Sequence, residues 1–565
     1  MLKNTAWTIF IAIFLSLLSY FLFSPKIQYG GDIIEYFGTS ESLINHQGLN
    51  LMEQDKTNLV KRLGSGYFDN PEYYLQAKNG QRYAVHFPLY SLINVPTRIA
   101  LRILGIDEYK AFRLTNLLIL TLVSFIILKF YLKSFFSQIA YLVLVYLSPI
   151  IWHLVWPGPE VFSLSLTLLS IFLFLDHNPK RRTWAILLST VASYQSQPLV
   201  VVPVIYLITY FIESYRKTKK LVTSWKEAFL YLVLLLLIFL PNIYYFLIFG
   251  SFSSFSKLSG VAFANFTFKK FFELFFDPNI GLFWYAPIIF ITGFYFLIKS
   301  AIKEKNTIFL EIILLTSTFY LVNINWNNGT AGFGPTRYAL PVLPFLIYFY
   351  CKNAVFNIKH VLILFLIGIT QLGILSFNGY IMPDFENTVR HSPYAQLVLN
   401  NFPSLYNPTP EIFVERTREL EGGFWDTTIY KDKGNCRKAY VLITGTQKLI
   451  DECGFIPEKY KSELVNEFLE KTNSPRTVVT TEATFYPADG VCSWDYKQDE
   501  SYPYVCMRNI EDVVRYTGIK DEGRFVGIDN MPGIWKMKWG QPADITVPAG
   551  YIINHYSLKG IYVDY

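Results

Sequence analysis

Charged side chains are scarce in this chain: Asp, Glu, Lys and Arg make up 16% of its 565 residues, against about a quarter in ordinary soluble proteins. That scarcity excludes a conventional solvated surface, and a composition of 52% hydrophobic and 18% aromatic residues points to lipid. Cysteine is rare as well, with five in the chain and no C-x-x-C pair among them, which argues against a zinc module. There is no single basic patch. The net charge of +7 comes from short clusters between apolar blocks, a pattern that speaks against nucleic acid and reads as membrane topology. The apolar stretch 6–23 is not followed by a small-x-small cleavage site, so it reads as a retained first span rather than a signal peptide.

What is present is a series of apolar blocks of roughly 17 to 25 residues, the length that crosses a hydrocarbon core of about 30 Å. They lie near 6–23, 111–132, 135–152, 160–175, 183–197, 198–213, 228–249, 280–298, 307–323, 337–351 and 359–377, which predicts a mostly α, polytopic membrane protein of about eleven transmembrane helices. The blocks 183–197 and 198–213 meet at Ser193-Tyr-Gln-Ser-Gln-Pro198, where proline and polar residues let the chain turn back. Basic clusters at Lys129/Lys133, Lys180–Arg182, Arg216–Lys220, Lys299–Lys305 and Lys352/Lys359 fall on alternate loops. Cytoplasmic loops retain such an excess, so the amino terminus is expected in the cytoplasm of a multi-pass cell (inner) membrane. The apolar stretch His86–Ile106 is expected as two interfacial helices, broken at Pro88 and Pro96, within a large first external loop covering 24–110.

Residues 1–380 form the expected membrane domain. From 381 to 565 the composition changes to Gly, Pro, Asn and charged residues with short β-branched and aromatic runs such as Ala439-Tyr-Val-Leu-Ile443, which reads as an extracytoplasmic α+β domain, periplasmic or extracellular. Four of the five cysteines lie there. Sequence-local disulfides Cys436–Cys453 and Cys492–Cys506 suit an oxidising compartment, although four cysteines permit three pairings. Cys351 is expected to be a free thiol.

Four external stretches carry polar groups that membrane spans do not need. The first, Gly30-Gly31-Asp32-Ile-Ile-Glu35-Tyr36, follows span one. Its glycines permit a sharp turn and place Asp32 on the first turn of a helix, as a reactive carboxylate or as a simple cap. The second is Trp152-His153-Leu-Val-Trp156-Pro-Gly-Pro-Glu160, where Glu160 opens a span and either caps it or faces a cavity. The third, Asn325 through Gly334-Pro-Thr-Arg337-Tyr338 to Pro344, puts Arg337 at the amino-terminal end of a span, where orientation bias and helix dipole both disfavour a cation. A phosphate held by two parallel hydrogen bonds would compensate it, as would a phospholipid head group or an acid of the first loop. The fourth, Asn265-Phe-Thr-Phe-Lys269-Lys270 to Asp277-Pro-Asn-Ile-Gly281, reads as an interfacial or re-entrant helix whose lysines either anchor it or help neutralise the same phosphate.

In this order and on one side, these stretches resemble the GT-C superfamily of integral membrane glycosyltransferases, which includes protein O-mannosyltransferases and bacterial aminoarabinose and arabinofuranosyl transferases. The likeness spans about 1–380. Its most specific pieces are Gly31-Asp32 with Tyr36, the run Asp277-Pro-x-x-Gly281-Leu-x-x-Tyr285-Ala-Pro287, and Trp326 through Arg337-Tyr338 to Pro344. The resemblance implies a polyprenyl-phosphate-linked sugar donor and an extracytoplasmic glycan, lipid or protein acceptor. It also implies a catalytic acid in the first external loop, here Asp32, acting as general base with inversion. Many members carry Asp-Glu in tandem, whereas Ile33 follows Asp32 here, so the partner acid is Glu35 or Glu160. Arg337 with Tyr338, helped by Lys269, Lys270 or His86, would stabilise the departing phosphate; His153 and Tyr36 complete the expected substrate-binding set. No acidic cluster marks a divalent cation, so no metal and no cofactor is expected. The competing readings are a lipid-linked glycan transporter or flippase, disfavoured by the lack of a clear internal repeat and of midplane charge, and an O-antigen polymerase or ligase, disfavoured because the large external loop comes first.

Overall fold

A computed structural model describes residues 2–24, 33–63, 74–176, 178–219, 225–252, 268–304, 334–378, 389–419, 427–441 and 446–454, together with five short strands beyond them. The chain is mostly helical and divides into two units, Met1–Ser254 with Val261–Thr388, and Phe255–Gly260 with Val389–Tyr565.

In the first unit, long apolar sequence becomes helix because the main chain satisfies its own hydrogen bonds there. Among the described residues four helices are long and apolar enough to cross a membrane: Thr5–Phe23, Glu108–Phe130, Pro198–Arg216 and Ile358–Phe377. These lie in α1 (Leu2–Phe23), α5 (Ala111–Phe130) with the 3-10 turn before it, α10 (Val201–Thr218) with the 3-10 turn before it, and α17 (Ile358–Asn378). A bent pair, α11 (Trp225–Ile238) and α12 (Leu240–Phe249), folds by 52° within the block expected as one span. Pro241 explains the bend, since it offers no N–H to the carbonyl of Leu237; the Tyr194 hydroxyl donates to that oxygen instead at 2.7 Å.

Several expected spans are shorter or interrupted. The block 135–152 is α6 (Phe135–Tyr146) followed by the short α7 (Ile150–Val155), divided at Ser148-Pro149. The proline again strands a carbonyl, that of Val145, and the Ser148 hydroxyl donates to it at 3.1 Å. The block 160–175 is α8 (Glu160–Phe174), followed by α9 (Pro179–Ser193), and the turn between α9 and α10 falls where Ser193–Pro198 places it. Residues 280–298 contain one helical turn, α14 (Leu282–Tyr285), and then α15 (Pro287–Glu304), which starts at the proline. In 337–351 only α16 (Leu343–Asn353) is α-helical, and Leu343 to Cys351 are all buried. Buried Gln371 of α17 ties these interruptions together by donating to the carbonyls of Leu147 and Tyr285, both at 3.1 Å. The block 307–323 lies outside the described residues.

The first loop holds α2 (Ile33–His46), α3 (Glu53–Leu63), the hairpin β1 (Tyr74–Gln76) with β2 (Arg82–Ala84), and α4 (Leu89–Ile103). The two interfacial helices expected between His86 and Ile106 are one helix: Pro88 caps its start, but Pro96 lies inside it. The reason is its polar face. Tyr90, Asn94, Arg98 and Leu101 are buried, while Leu92, Ile99 and Ile103 are exposed on the other side, so tertiary bonds hold the helix through the hydrogen bond that Pro96 removes.

Arg98 is the centre of those bonds. Fully buried, it donates to Ser40 Oγ at 2.6 Å and Glu41 Oε2 at 2.6 Å and lies 3.0 Å from Glu108. Arg62 and Arg102 reach Glu108 at 2.9 and 2.6 Å. Burial works to strip the Arg98 proton, but Tyr109, Glu108 and Glu41 outweigh it and hold the guanidinium above its ordinary range. A second knot joins α2 to α3, with Asp55 accepting from Ser42, Asn45 and the Met52 N–H at 2.9 Å each.

In the second unit, α18 (Pro393–Asn401) and α19 (Pro410–Arg418) lie with β3 (Thr428–Asp432) and β4 (Asn435–Val441), and Ala395, Leu399, Phe413, Val414 and Tyr440 form a core. The β3–β4 hairpin turns through Lys433 and Gly434 with φ of 49° and 84°, the left-handed pair that matches strand twist. The last described strand, Ile561–Asp564, pairs antiparallel with β4. Cys436 on β4 is bonded to Cys453 at the end of α20 (Thr446–Cys453), with Cα atoms 5.8 Å apart. This is one of the two expected disulfides; Cys492 and Cys506 lie outside the described residues. Cys351 is free and buried. The 17-residue separation of the bonded pair implies about 3 kcal/mol of stabilisation from the closed loop. Cys436→Ser/Cys453→Ser should therefore lower the denaturant midpoint of this unit's unfolding, read by tryptophan fluorescence, and an unchanged midpoint would refute the bond's contribution.

Candidate active site

The site is built from the first loop inward. Gly30, Gly31 and Asp32 lie outside the described residues, which resume at Ile33 with α2. Glu35, on its first turn, is 1% exposed. It contacts the Nδ1 of His86 and accepts the His86 backbone N–H at 3.1 Å. One carboxylate thus fixes both the ring and the backbone of the histidine, an arrangement that orients an imidazole. The helix can lie this close to the hairpin because residue 38 is glycine: a Cβ there would stand 1.8 Å from the Tyr74 hydroxyl, which donates to the carbonyls of Ile34 and Glu35, both at 3.3 Å.

Tyr36 carries the connection onward. Its ring lies 5.4 Å from that of His86 and edge-on to that of Tyr90 at 5.3 Å. Tyr90 is fully buried and donates to the Gly158 carbonyl at 2.7 Å, which also accepts from Asn116 at 2.8 Å. A Cβ at Gly158 would stand 2.1 Å from Trp156 Nε1 and 2.3 Å from Glu160 Oε2, so a larger residue would displace both side chains.

Glu160 opens α8, and its Oε1 lies 3.6 Å from Arg337 Nη1, with side chains 12% and 28% exposed. Arg337 also donates to the Tyr338 hydroxyl at 3.3 Å and sits over that ring at 5.3 Å. The Thr336 N–H donates to the Ile280 carbonyl at 2.8 Å. Ile280 belongs to a tight turn in which Asp277 accepts the N–H groups of Asn279 and Ile280 at 2.7 and 3.1 Å, and Tyr285 donates to the Asn279 carbonyl at 2.6 Å. Tyr285 in turn packs edge-on against Trp152 at 5.6 Å. His153 is 4% exposed and its Nδ1 has no hydrogen-bond partner among the described residues. Burial pushes its imidazole down to about 3, the Arg337 charge adds to this, and a hydrogen bond with the Pro335 backbone opposes both. It is a neutral ring beside a cation.

All four stretches singled out in the sequence therefore meet within the first unit, through Tyr36–Tyr90, Tyr90–Gly158, Glu160–Arg337 and Thr336–Ile280. The chain matches no family model, no curated protein and no solved structure.

The expected residues divide into two groups. Glu35, Tyr36 and His86 cluster at the start of α2, and Glu160, Arg337, Tyr338 and His153 cluster at the start of α8. Lys269, on α13 (Phe268–Phe276), lies 4.0 Å from Glu273 of its own helix; the Lys270 side chain lies outside the described residues. Asp277 and Tyr285 hold a turn. Tyr90 and Asn116 were not anticipated, though an asparagine inside an apolar span was a visible signal. Among the described residues no group of His, Cys, Asp and Glu is arranged to hold a metal ion.

Proposed function

We propose that this chain is a membrane glycosyltransferase that moves a sugar from a polyprenyl-phosphate-linked donor to an extracytoplasmic glycan, lipid or protein acceptor. The observation that carries the reading is the Glu160–Arg337 pair. At 3.6 Å and partly exposed, it holds a guanidinium where an arriving phosphate can accept hydrogen bonds from it. Phosphate is the leaving group of such a donor. In this reading the acceptor hydroxyl gives its proton to Asp32, its oxygen bonds to the anomeric carbon, and the bond from that carbon to the phosphate oxygen breaks with inversion. Arg337 takes up the charge on the freed lipid phosphate. This reading takes the chain to have about eleven spans, an inside amino terminus and an external carboxy-terminal unit, so that both substrates meet on the outer side of the cell membrane.

The test is transfer itself. Full-length protein in detergent, given labelled polyprenyl-phosphate sugars and a cell-envelope acceptor extract, is expected to form labelled product. Asp32→Asn should lower the rate about a hundredfold or more. A wild-type protein that leaves every donor intact overturns the reading, whereas an Asp32→Asn protein of full rate removes the base alone.

A further inference from the structure

The ends of two spans lie level with each other on the side of the first loop. The buried ammonium of Lys110, just before α5, donates to the carbonyls of Leu22 and Ser24 at the end of α1, at 2.8 and 2.6 Å. This marks a boundary plane: span Thr5–Phe23 ends where span Glu108–Phe130 begins. Arg113 lies three residues further along α5, about 4.5 Å along the axis at 1.5 Å per residue. It is half-buried, and its Nε is enclosed without a hydrogen-bond partner. Among the described residues no carboxylate lies within ion-pair distance of it; Asp107 acts on both Lys110 and Arg113 only from farther away, its Oδ1 taken by the Tyr109 N–H at 3.2 Å.

The donors do not balance. An ammonium has three N–H groups and Lys110 uses two on carbonyls; a guanidinium has five, and Arg113 uses none on the described residues. A partly desolvated cation with no anion is costly. The neighbouring surface belongs to lipid: α1 is the least enclosed of the four spans, with 17% of its apolar window buried, and Ile11, Leu15 and Phe23 are exposed along it. We propose that Lys110 and Arg113 form a binding site for the phosphate of an anionic phospholipid, whose acyl chains lie along α1. The phosphate accepts from the free Lys110 donor and from the Arg113 fork, one turn inside the membrane boundary. This site is independent of the proposed transfer reaction.

The experiment is native mass spectrometry of the full-length protein released from detergent, titrated with phosphatidylglycerol, with diacylglycerol as the phosphate-free probe and polyprenyl phosphate as the rival source. Wild type is expected to hold one phosphatidylglycerol and no diacylglycerol. Arg113→Gln should weaken that binding at least tenfold, and Arg113→Lys should restore most of it. Lys110→Gln should weaken it as well, which separates the site from a lone snorkelling arginine. Phosphatidylglycerol bound equally by wild type and Arg113→Gln overturns the proposal. So does polyprenyl phosphate bound through Arg113 more tightly than phosphatidylglycerol, which would assign the site to a carrier. Should Arg113→Gln not fold, the Lys110→Gln titration decides on the same criterion.

Discussion

Arg337→Ala is expected to cut transfer from a lipid-phosphate donor by about a hundredfold to a thousandfold, the loss seen when one preorganised donor to developing charge is removed. The magnitude separates this role from a structural one. The Arg337–Glu160 pair is partly exposed, and such pairs contribute at most about 1 kcal/mol to stability. The carboxylate left behind also stands at the first residue of α8, where the helix dipole favours it. Folding should therefore change little while the rate falls by the equivalent of about 3 to 4 kcal/mol. Arg337→Lys keeps a cation but not the two-pronged geometry and should recover part of the rate. Steady-state transfer assays beside thermal melts of the same preparations provide the comparison. Equal losses in rate and in stability would make Arg337 a structural residue.

The second large effect is on stability. Arg98→Ala removes a fully buried guanidinium from Glu41 and Glu108; Glu108 keeps Arg62 and Arg102, but the enclosed Glu41 carboxylate loses its cation, a change that costs about 3 to 5 kcal/mol. In a chain of this size, with about 2.1 cal/mol/K of unfolding entropy per residue, that corresponds to a fall in Tm of about 3 to 4 °C. The pair as a unit matters less than its integrity. Replacing both ends, as Arg98→Met with Glu41→Gln, should cost less than Arg98→Ala alone, because no unpaired charge then remains. Melting in detergent, followed by tryptophan fluorescence, checks both. A Tm within about 1 °C of wild type for Arg98→Ala, a shift of about 1 kcal/mol, would show that water already reaches the cluster.

Much of this arrangement was legible in the residues. Long apolar runs marked the helices, the polar interruption at Ser193–Pro198 marked a turn, and sequence-near cysteines marked the Cys436–Cys453 bond. The same reading brought Arg337, Glu160, Tyr36 and the Asp277 turn to one side, and these stretches do meet. What escaped it were partners set by tertiary contact. Hydropathy does not register a carbonyl stranded by proline, so the divisions at Pro149 and Pro287 were read through as continuous spans. The part played by Arg98 was not visible because Glu41 and Glu108, which neutralise it, come from separate elements. Pro96 was read as a break because the bonds that outweigh its missing N–H are not local. The alternatives left for the second acid are now distinguished by their company: Glu35 lies on His86, and Glu160 on Arg337.

The buried Tyr90 has one more consequence. Its helix, α4, shows Leu92, Ile99 and Ile103 to the outside, while its phenol grips the carbonyl two residues before Glu160. A helix with an apolar outer face is thus tied through one buried phenol to the loop that carries the acid. Any displacement of that helix is passed through the phenol to the segment that sets the anionic end of the Glu160–Arg337 pair.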